Sequence, residues 1–297
     1  MVEKSHNIGQ VISRFGAELI LATSDGEHIR CTTRRKLDNV ACGDFVRWQE
    51  EAQGNASVTA IESRKNVLSR PDFRGKIRAI AANIDVLIVV SSWRPAPSWE
   101  MLDRYLVAAE QLPAEVIIVM NKADLRDEFS SKNDSVILEE YSRIGYQVIH
   151  TDAKTGRGIA QIGAALGDKT AIFAGQSGVG KSSLVACLLP EQSIRVGSIG
   201  ETGEGRHTTT VATLYRLAGG SLIDSPGVRD FALPPLNPSE LQSGYPEFAE
   251  LGETCKFNNC THQHEPGCAI KAAVNSNELP PHRYQRYLNL LTRQIKQ

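Results

Sequence analysis

From Ile8 to Ser63 apolar and polar residues alternate in short runs: IGQVISRF, AELILA, EHIRCTT, GDFVRWQ and ASVTAIES. A period of two marks strands with one buried face. Turn-forming breakers separate most of the runs: Phe15-Gly16, Ser24-Asp25-Gly26 and Gln53-Gly54-Asn55. Five short strands over residues 1–68 predict a small Greek-key barrel of the OB type, a fold that often binds oligonucleotides. An SH3-like barrel is the alternative topology for the same strand count.

The pattern changes over residues 69–234. A basic connector, SRPDFRGKIR, leads into the near-continuous apolar run IDVLIVVSSW. Helical SWEMLDRYLVAAEQ, strand AEVIIVMN, helix DSVILEEYSRI, strand QVIHT and a helix around IAQIGAAL follow. Then come strand TAIFAG, helix KSSLVACLL and strands VATLYRL and GSLIDS. Apolar strands alternating with amphipathic helices predict a mostly parallel sheet with helices on both faces, making the chain a multidomain α/β protein. Residues 235–297 form a third, small segment too short to bury a large core alone.

Composition narrows the class only a little. The formal net charge is −1, so contact with nucleic acid must come from local patches. No apolar run approaches the roughly 18 residues needed to span a bilayer. The start MVEKSHNIGQVISRF has no apolar signal core, so the expectation is a cytoplasmic protein with no membrane partner. Cys31, Cys42 and Cys187 are scattered, whereas the other three cysteines crowd into one short stretch near the C-terminus. Crowding of that kind points to metal rather than disulfides.

The candidate chemistry sits at strand ends. Gly175-Gln176-Ser177-Gly178-Val179-Gly180-Lys181-Ser182-Ser183 follows strand TAIFAG and opens helix KSSLVACLL. It matches G-x-x-x-x-G-K-[ST], whose backbone N–H groups cradle phosphates at a helix N-terminus. Lys181 is placed to reach the β- and γ-phosphates, and the Ser182 hydroxyl to ligate Mg²⁺. Asp224-Ser-Pro-Gly227 closes strand GSLIDS and suits a Mg²⁺-side carboxylate followed by a Gly227 amide facing the γ-phosphate. Between them lies IGETGEGRHTTT, a glycine-rich switch in which Thr208, Thr209 or Thr210 offers a hydroxyl to Mg²⁺, Thr209 being favoured.

Asn121-Lys122-Ala123-Asp124, at the end of AEVIIVMN, is suited to reading guanine. The Asp124 carboxylate can accept from the base N1–H and exocyclic amine, a donor pair that adenine lacks. Asn121 braces the loop, the Lys122 stem covers a ring face, and the Ala153 amide in Asp152-Ala153-Lys154 faces the base oxygen. Many GTPases carry serine where Asp152 stands, which puts that residue's contribution in doubt. The loops run guanine first and phosphate later, the reverse of the common order. A parallel sheet tolerates this because ligand loops gather at the carboxyl ends of its strands whatever their order along the chain.

Hydrolysis needs an oriented water. The residue after D-x-x-G is Val228, which cannot hydrogen-bond water, so His207 beside the switch threonines is the candidate catalytic group. In the tail, Cys255-x4-Cys260-x-His262-x5-Cys268 suits one structural Zn²⁺, with His264 a rival fourth ligand. The final stretch HRYQRYLNLLTRQIKQ predicts a helix with Tyr284, Tyr287, Leu288, Leu291 and Ile295 on one face. Arg283, Arg286, Arg293 and Lys296 fall on the other, a face for solvent or for RNA phosphates.

Together, the permuted loops, GRHTTT before DSPG, the barrel in front and C-x4-C-x-H-x5-C behind resemble the small-ribosomal-subunit-dependent GTPase A family (RsgA, also called YjeQ) over essentially the whole chain. The resemblance implies an OB barrel (1–68), a circularly permuted P-loop GTPase domain (69–234) and a small zinc-binding helical domain (235–297). It further implies a cytoplasmic GTPase that cycles between GTP and GDP with Mg²⁺. Such an enzyme acts late in maturation of the small ribosomal subunit, is stimulated by that subunit, binds its rRNA, and couples hydrolysis to release. The expected state is a monomer.

Overall fold

A computed structural model of the chain describes residues 7–33, 37, 39–51, 55–71, 76–189, 212–225 and 236–295. Its first strands are β1 (Asn7–Phe15), β2 (Glu18–Ala22), β3 (His28–Thr33), β4 (Phe45–Glu50) and β5 (Ala56–Ile61). β1 pairs antiparallel with both β2 and β4, β2 with β3 and β4 with β5, while β3 and β5 run parallel. The circuit β1-β2-β3-β5-β4-β1 therefore closes, and the OB-like barrel leaves no unpaired edge among these strands. Alternate residues point inward, so Val11, Leu19, Leu21, Val46, Trp48 and Val58 form its core.

Both ends of the basic stretch expected to be a connector lie in paired strands. β6 (Val67–Pro71) pairs antiparallel with β7 (Ile77–Ala82). Charged and turn-forming residues dominate a local reading of SRPDFRGKIR. The apolar flanks pair because each satisfies the other's backbone groups.

Strands and helices then alternate: β8 (Val86–Ser92), α1 (Trp99–Gln111), β9 (Glu115–Asn121), α2 (Arg126–Phe129), α3 (Lys132–Ile144), β10 (Gln147–His150) and α4 (Ile159–Leu166). β11 (Thr170–Ala174), α5 (Lys181–Leu188), β12 (Thr213–Arg216) and β13 (Ser221–Asp224) complete this region. The tail contributes α6 (Pro238–Ser243), α7 (Ala249–Gly252), α8 (Ala269–Asn275) and α9 (Pro281–Ile295). No helix among the described residues is long and apolar enough to cross a membrane.

Two compact units cut across chain order. The first takes the described residues of Met1–Leu87, Ile159–Ala174 and Lys181–Phe231. Here β1 also pairs with β12, β12 runs antiparallel to β13, and β13 parallel to β11. The barrel is thus hydrogen-bonded to β12 and, through it, belongs to the same sheet as β13 and β11. Arg216 on β12 donates to Gln10 on β1 at 2.7 Å, a side-chain tie across the same junction.

The second unit takes Ile88–Gly158, Gly175–Gly180 and the described residues of Ala232–Gln297. Within it β10 lies parallel to β9, and β9 neighbours β8. All seven residues of β8 are buried, as its near-continuous apolar sequence requires. Ser98 caps α1 by accepting from the Met101 N–H, and Ser131 with Asp134 forms a capping box on α3.

The tail packs on α1. Gln111 donates to the Glu240 carbonyl and the Ser243 hydroxyl at 3.1 and 3.0 Å, and Gly244 lies directly on Val107. The arginine face expected to meet solvent or RNA does not do so at its N-terminal end. Arg283 is 1% exposed and Arg286 9% exposed. The buried stripe of α9 runs Arg283, Arg286, Tyr287, Leu290, Leu291. Arg283 and Arg286 both donate to Asp103 of α1, and Arg283 donates to Glu247 at 2.6 Å. A charge partner on a distant helix turned the stripe, which no local period reveals. Arg293 keeps an exposed guanidinium but pairs with Glu100.

Candidate functional site

β9 ends at Asn121, and the chain then turns through Lys122 in the left-handed region (φ 56°, ψ 47°) into a short turn over Ala123–Leu125. Asn121 is 1% exposed, and both ends of its amide are engaged. Its Nδ2 donates to the Val179 carbonyl at 2.9 Å, and its Oδ1 accepts from the Thr151 hydroxyl at 3.1 Å. The Ala123 N–H donates to the Thr151 carbonyl at 2.9 Å. Lys122 Nζ donates to the carbonyls of Gly178 at 2.8 Å and Arg94 at 2.5 Å. Two adjacent residues of the guanine loop are therefore latched onto the phosphate loop. Asp124 carries an ion pair with Lys154 at 3.4 Å.

The phosphate loop explains its own glycines. Gly180 has φ +97°, and a Cβ there would lie 2.3 Å from Asn121 Nδ2. Gly175 has φ +139°, and a Cβ would lie 2.2 Å from the Val90 carbonyl oxygen. A side chain at either position forces the two loops, or the loop and β8, apart. Gln176, Ser177 and Gly178 lie along the turn between them, with Val179 buried. Lys181, Ser182 and Ser183 form the first turn of α5, and Asp224 ends β13. His207, Thr209 and Gly227 lie outside the described residues.

Asp152 bonds to its own turn. It is 4% exposed, its Oδ1 accepts from the Lys154 N–H at 2.9 Å, and its Oδ2 accepts from the Thr155 hydroxyl at 2.8 Å. Burial pushes its carboxyl up, but the Thr155 hydroxyl and Lys154 amide outweigh this and hold it below the usual carboxylate range.

One segment at the site went unread in the sequence. Trp93 and Arg94 directly follow β8, and Arg94 supplies a carbonyl to the Lys122 latch. Trp93 is 1% exposed and packs with Met120 and Leu138 close to the guanine loop. The available signal was SSWRP at the carboxyl end of an apolar strand, the end where ligands of α/β sheets gather.

The tail brings Cys255, Cys260, His262 and Cys268 together, all buried, with their ligand atoms within 4.8 Å of one another. Cys255 Sγ and Cys268 Sγ lie 3.7 and 3.4 Å from His262 Nδ1. A tetrahedral ion at about 2.3 Å from sulfur and about 2.0 Å from nitrogen sets S···N spacings of about 3.5 Å, so the donor set fits zinc. Burial raises the Cys260 thiol to about 12, so a thiolate there needs a cation beside it. Burial also lowers the His262 pKa, favouring the neutral imidazole that ligates metals. Backbone N–H groups of Ala269 and Lys271 donate to Cys255 Sγ and Cys268 Sγ at 3.4 and 3.5 Å. Tyr284 donates to the His262 carbonyl at 2.5 Å, and Phe248 packs edge-on against the imidazole at 5.8 Å. His264 is exposed and stands outside the cluster.

The chain is similar to known proteins. A family model described as RsgA GTPase matches residues 61–234. The chain is 42% identical over 290 residues to the small ribosomal subunit biogenesis GTPase RsgA of Histophilus somni (strain 129Pt), covering 96% of this chain and 83% of that relative. It is 40% identical over 285 residues to the RsgA of Pseudomonas aeruginosa (strain LESB58), covering 95% and 84%. Among solved structures it is similar to YjeQ from Thermotoga maritima, with a TM-score of 0.78, 30% identity and coverage of 98% and 99%. It is similar also to YloQ, described as a circularly permuted GTPase, with a TM-score of 0.78, 28% identity and coverage of 99% and 97%.

Proposed function

The chain belongs to the RsgA GTPase family and hydrolyses GTP, and from that premise we propose that it serves biogenesis of the small ribosomal subunit, which stimulates its turnover. The observation that carries the nucleotide reading is the double latch from Asn121 to Val179 and from Lys122 to Gly178. It places a guanine-type loop against a phosphate-type loop despite their reversed order in the chain. Asp124 reads guanine, the amides of Gly175 to Gly180 cradle phosphate, and Lys181 neutralises its charge. Ser182, Thr209 and Asp224 hold Mg²⁺, with Gly227 facing the γ-phosphate. Mg²⁺ bound with GTP supplies charge neutralisation across the phosphates. Cys255, Cys260, His262 and Cys268 hold Zn²⁺, a structural staple for a segment with little core of its own.

The three domains take residues 1–68, 69–234 and 235–297. The barrel and the zinc module are the surfaces offered to rRNA in a cytoplasmic, monomeric enzyme. The deciding experiment is GTP turnover with and without purified small subunits. A rise of at least about tenfold is expected, since a partner can supply the missing transition-state groups. Equal rates would favour a GTPase with some other partner.

His207 orients the attacking water in this proposal. His207→Ala is expected to lower stimulated turnover by about 10²-fold, the usual size of a lost proton-handling group, with GTP affinity within about threefold of wild type. An unaltered stimulated rate would remove His207 from the mechanism.

A further inference from the structure

We propose that Asp152 is a positioning residue for guanine specificity, acting through the turn that sets Lys154 beside Asp124. The inference rests on the nucleotide site proposed above and adds a residue to it. A carboxylate at this place in the loop is unexpected, because a second negative charge facing Asp124 would work against a carboxylate that must accept two bonds from the base. The structure resolves the conflict by turning Asp152 inward. Its side chain holds the Lys154 N–H and the Thr155 hydroxyl, its carbonyl accepts the Gly156 N–H at 2.9 Å, and its N–H donates to the Arg157 carbonyl at 3.0 Å. Four bonds from one residue close the turn Asp152–Arg157.

The product of that turn is a cation in place. Lys154 Nζ lies 3.4 Å from Asp124 Oδ2 although its side chain is 79% exposed. An exposed lysine without a fixed backbone spends little time in one geometry. The Asp152 turn supplies that fixed backbone. The adjoining strand end is tied in as well, because Thr151 bonds both Ala123 and Asn121 of the guanine loop. Asp152 touches no base in this scheme. It sets the loop wall and the ammonium that hold Asp124 in the orientation needed for both guanine donors.

Two nucleotides separate this role from plain loop stability. GDP offers Asp124 the ring N1–H and the exocyclic amine, whereas IDP lacks the amine. Only correct orientation of Asp124 rewards the second bond. Wild type is expected to prefer GDP over IDP by about tenfold or more, the worth of one hydrogen bond to a charged group. Asp152→Ala should weaken GDP binding about tenfold and IDP binding less than threefold, so the preference narrows. Asp152→Asn should restore it, since an amide oxygen still accepts the Lys154 N–H.

Equal loss for both nucleotides, or no loss for either, would overturn the proposal. If Asp152→Ala does not fold, Lys154→Met carries the same test: a narrowed preference supports the proposal and an unchanged one overturns it. Asp124→Asn is the control for the site itself. If wild type shows no preference for GDP, or if Asp124→Asn leaves that preference whole, the guanine-site reading fails. If those controls hold and the Asp152 arms do not, only the present inference fails.

Discussion

Asp103→Ala is expected to cost about 3–5 kcal/mol of stability in the unit that carries the guanine loop and the tail, the penalty for leaving a buried ion pair with one partner. Asp103 is fully buried on α1, where it accepts from Arg283 and Arg286 of α9 and from Tyr141 of α3, the last at 2.5 Å. Arg283 also pairs with Glu247 and lies 4.3 Å above the Tyr245 ring. Burial works against the charged form of Arg283, but Asp103 and Glu247 outweigh it and hold its pKa well above the usual arginine value. Asp103 and Glu247 thus pair directly with the two guanidiniums. Without Asp103 the carboxylate left in direct contact among the described residues is Glu247 on Arg283, and Arg286 keeps the Tyr141 hydroxyl and the longer-range charge of Glu140. Because the network joins α1, α3 and α9, its loss should release the tail first. Chemical denaturation followed by tryptophan fluorescence, with hydrogen exchange on α9, measures both effects. A variant within about 1 kcal/mol of wild type would mean that this joint is not what fastens α9 to α1.

Gly180→Ala is expected to weaken GTP and GDP binding by about 10²-fold with zinc content unchanged. Two costs add. A φ of +97° strains any residue with a Cβ, and that Cβ would meet Asn121 Nδ2 at 2.3 Å. Asn121 is a side-chain end, but it has nowhere cheap to go: moving it breaks the bonds to Val179 and Thr151 inside a buried pocket. The lost buried bonds and the backbone strain together come to about 3 kcal/mol, which is about a hundredfold in affinity. Titration with a fluorescent GDP analogue measures it directly. Near-wild-type affinity would show that the two loops need not stay latched for nucleotide to bind.

Much of the molecule is legible in the amino-acid sequence. Period-two runs located all five barrel strands, and the alternation that followed located β8 to β13, because strand period and apolar content are local properties of the chain. The phosphate-loop and guanine-loop motifs were legible for a related reason. Phosphate and guanine fix the residue types needed within a few consecutive positions, so spacing along the chain is itself the signal. The crowded cysteines were readable in the same way, although sequence left His262 and His264 as rivals.

Other features depended on residues far apart in the chain. Arg283 and Arg286 read as a solvent face because a helical period cannot see Asp103 on another helix. Asp152 read as a doubtful substitute for serine until its carboxylate was found facing inward onto its own turn. Arg94 carried no signal of its own, since its contribution is a backbone carbonyl.

The sequence by itself determined the OB-like barrel and the permuted GTPase, because those follow from short-range pattern and from motifs concentrated in a few neighbouring residues. Only the tertiary structure decided which charges are buried, which histidine joins the three thiols, and how the reversed loops are fastened to each other. Those outcomes rest on burial and on partners distant along the chain, where a low-dielectric setting makes one neighbouring charge outweigh any local preference.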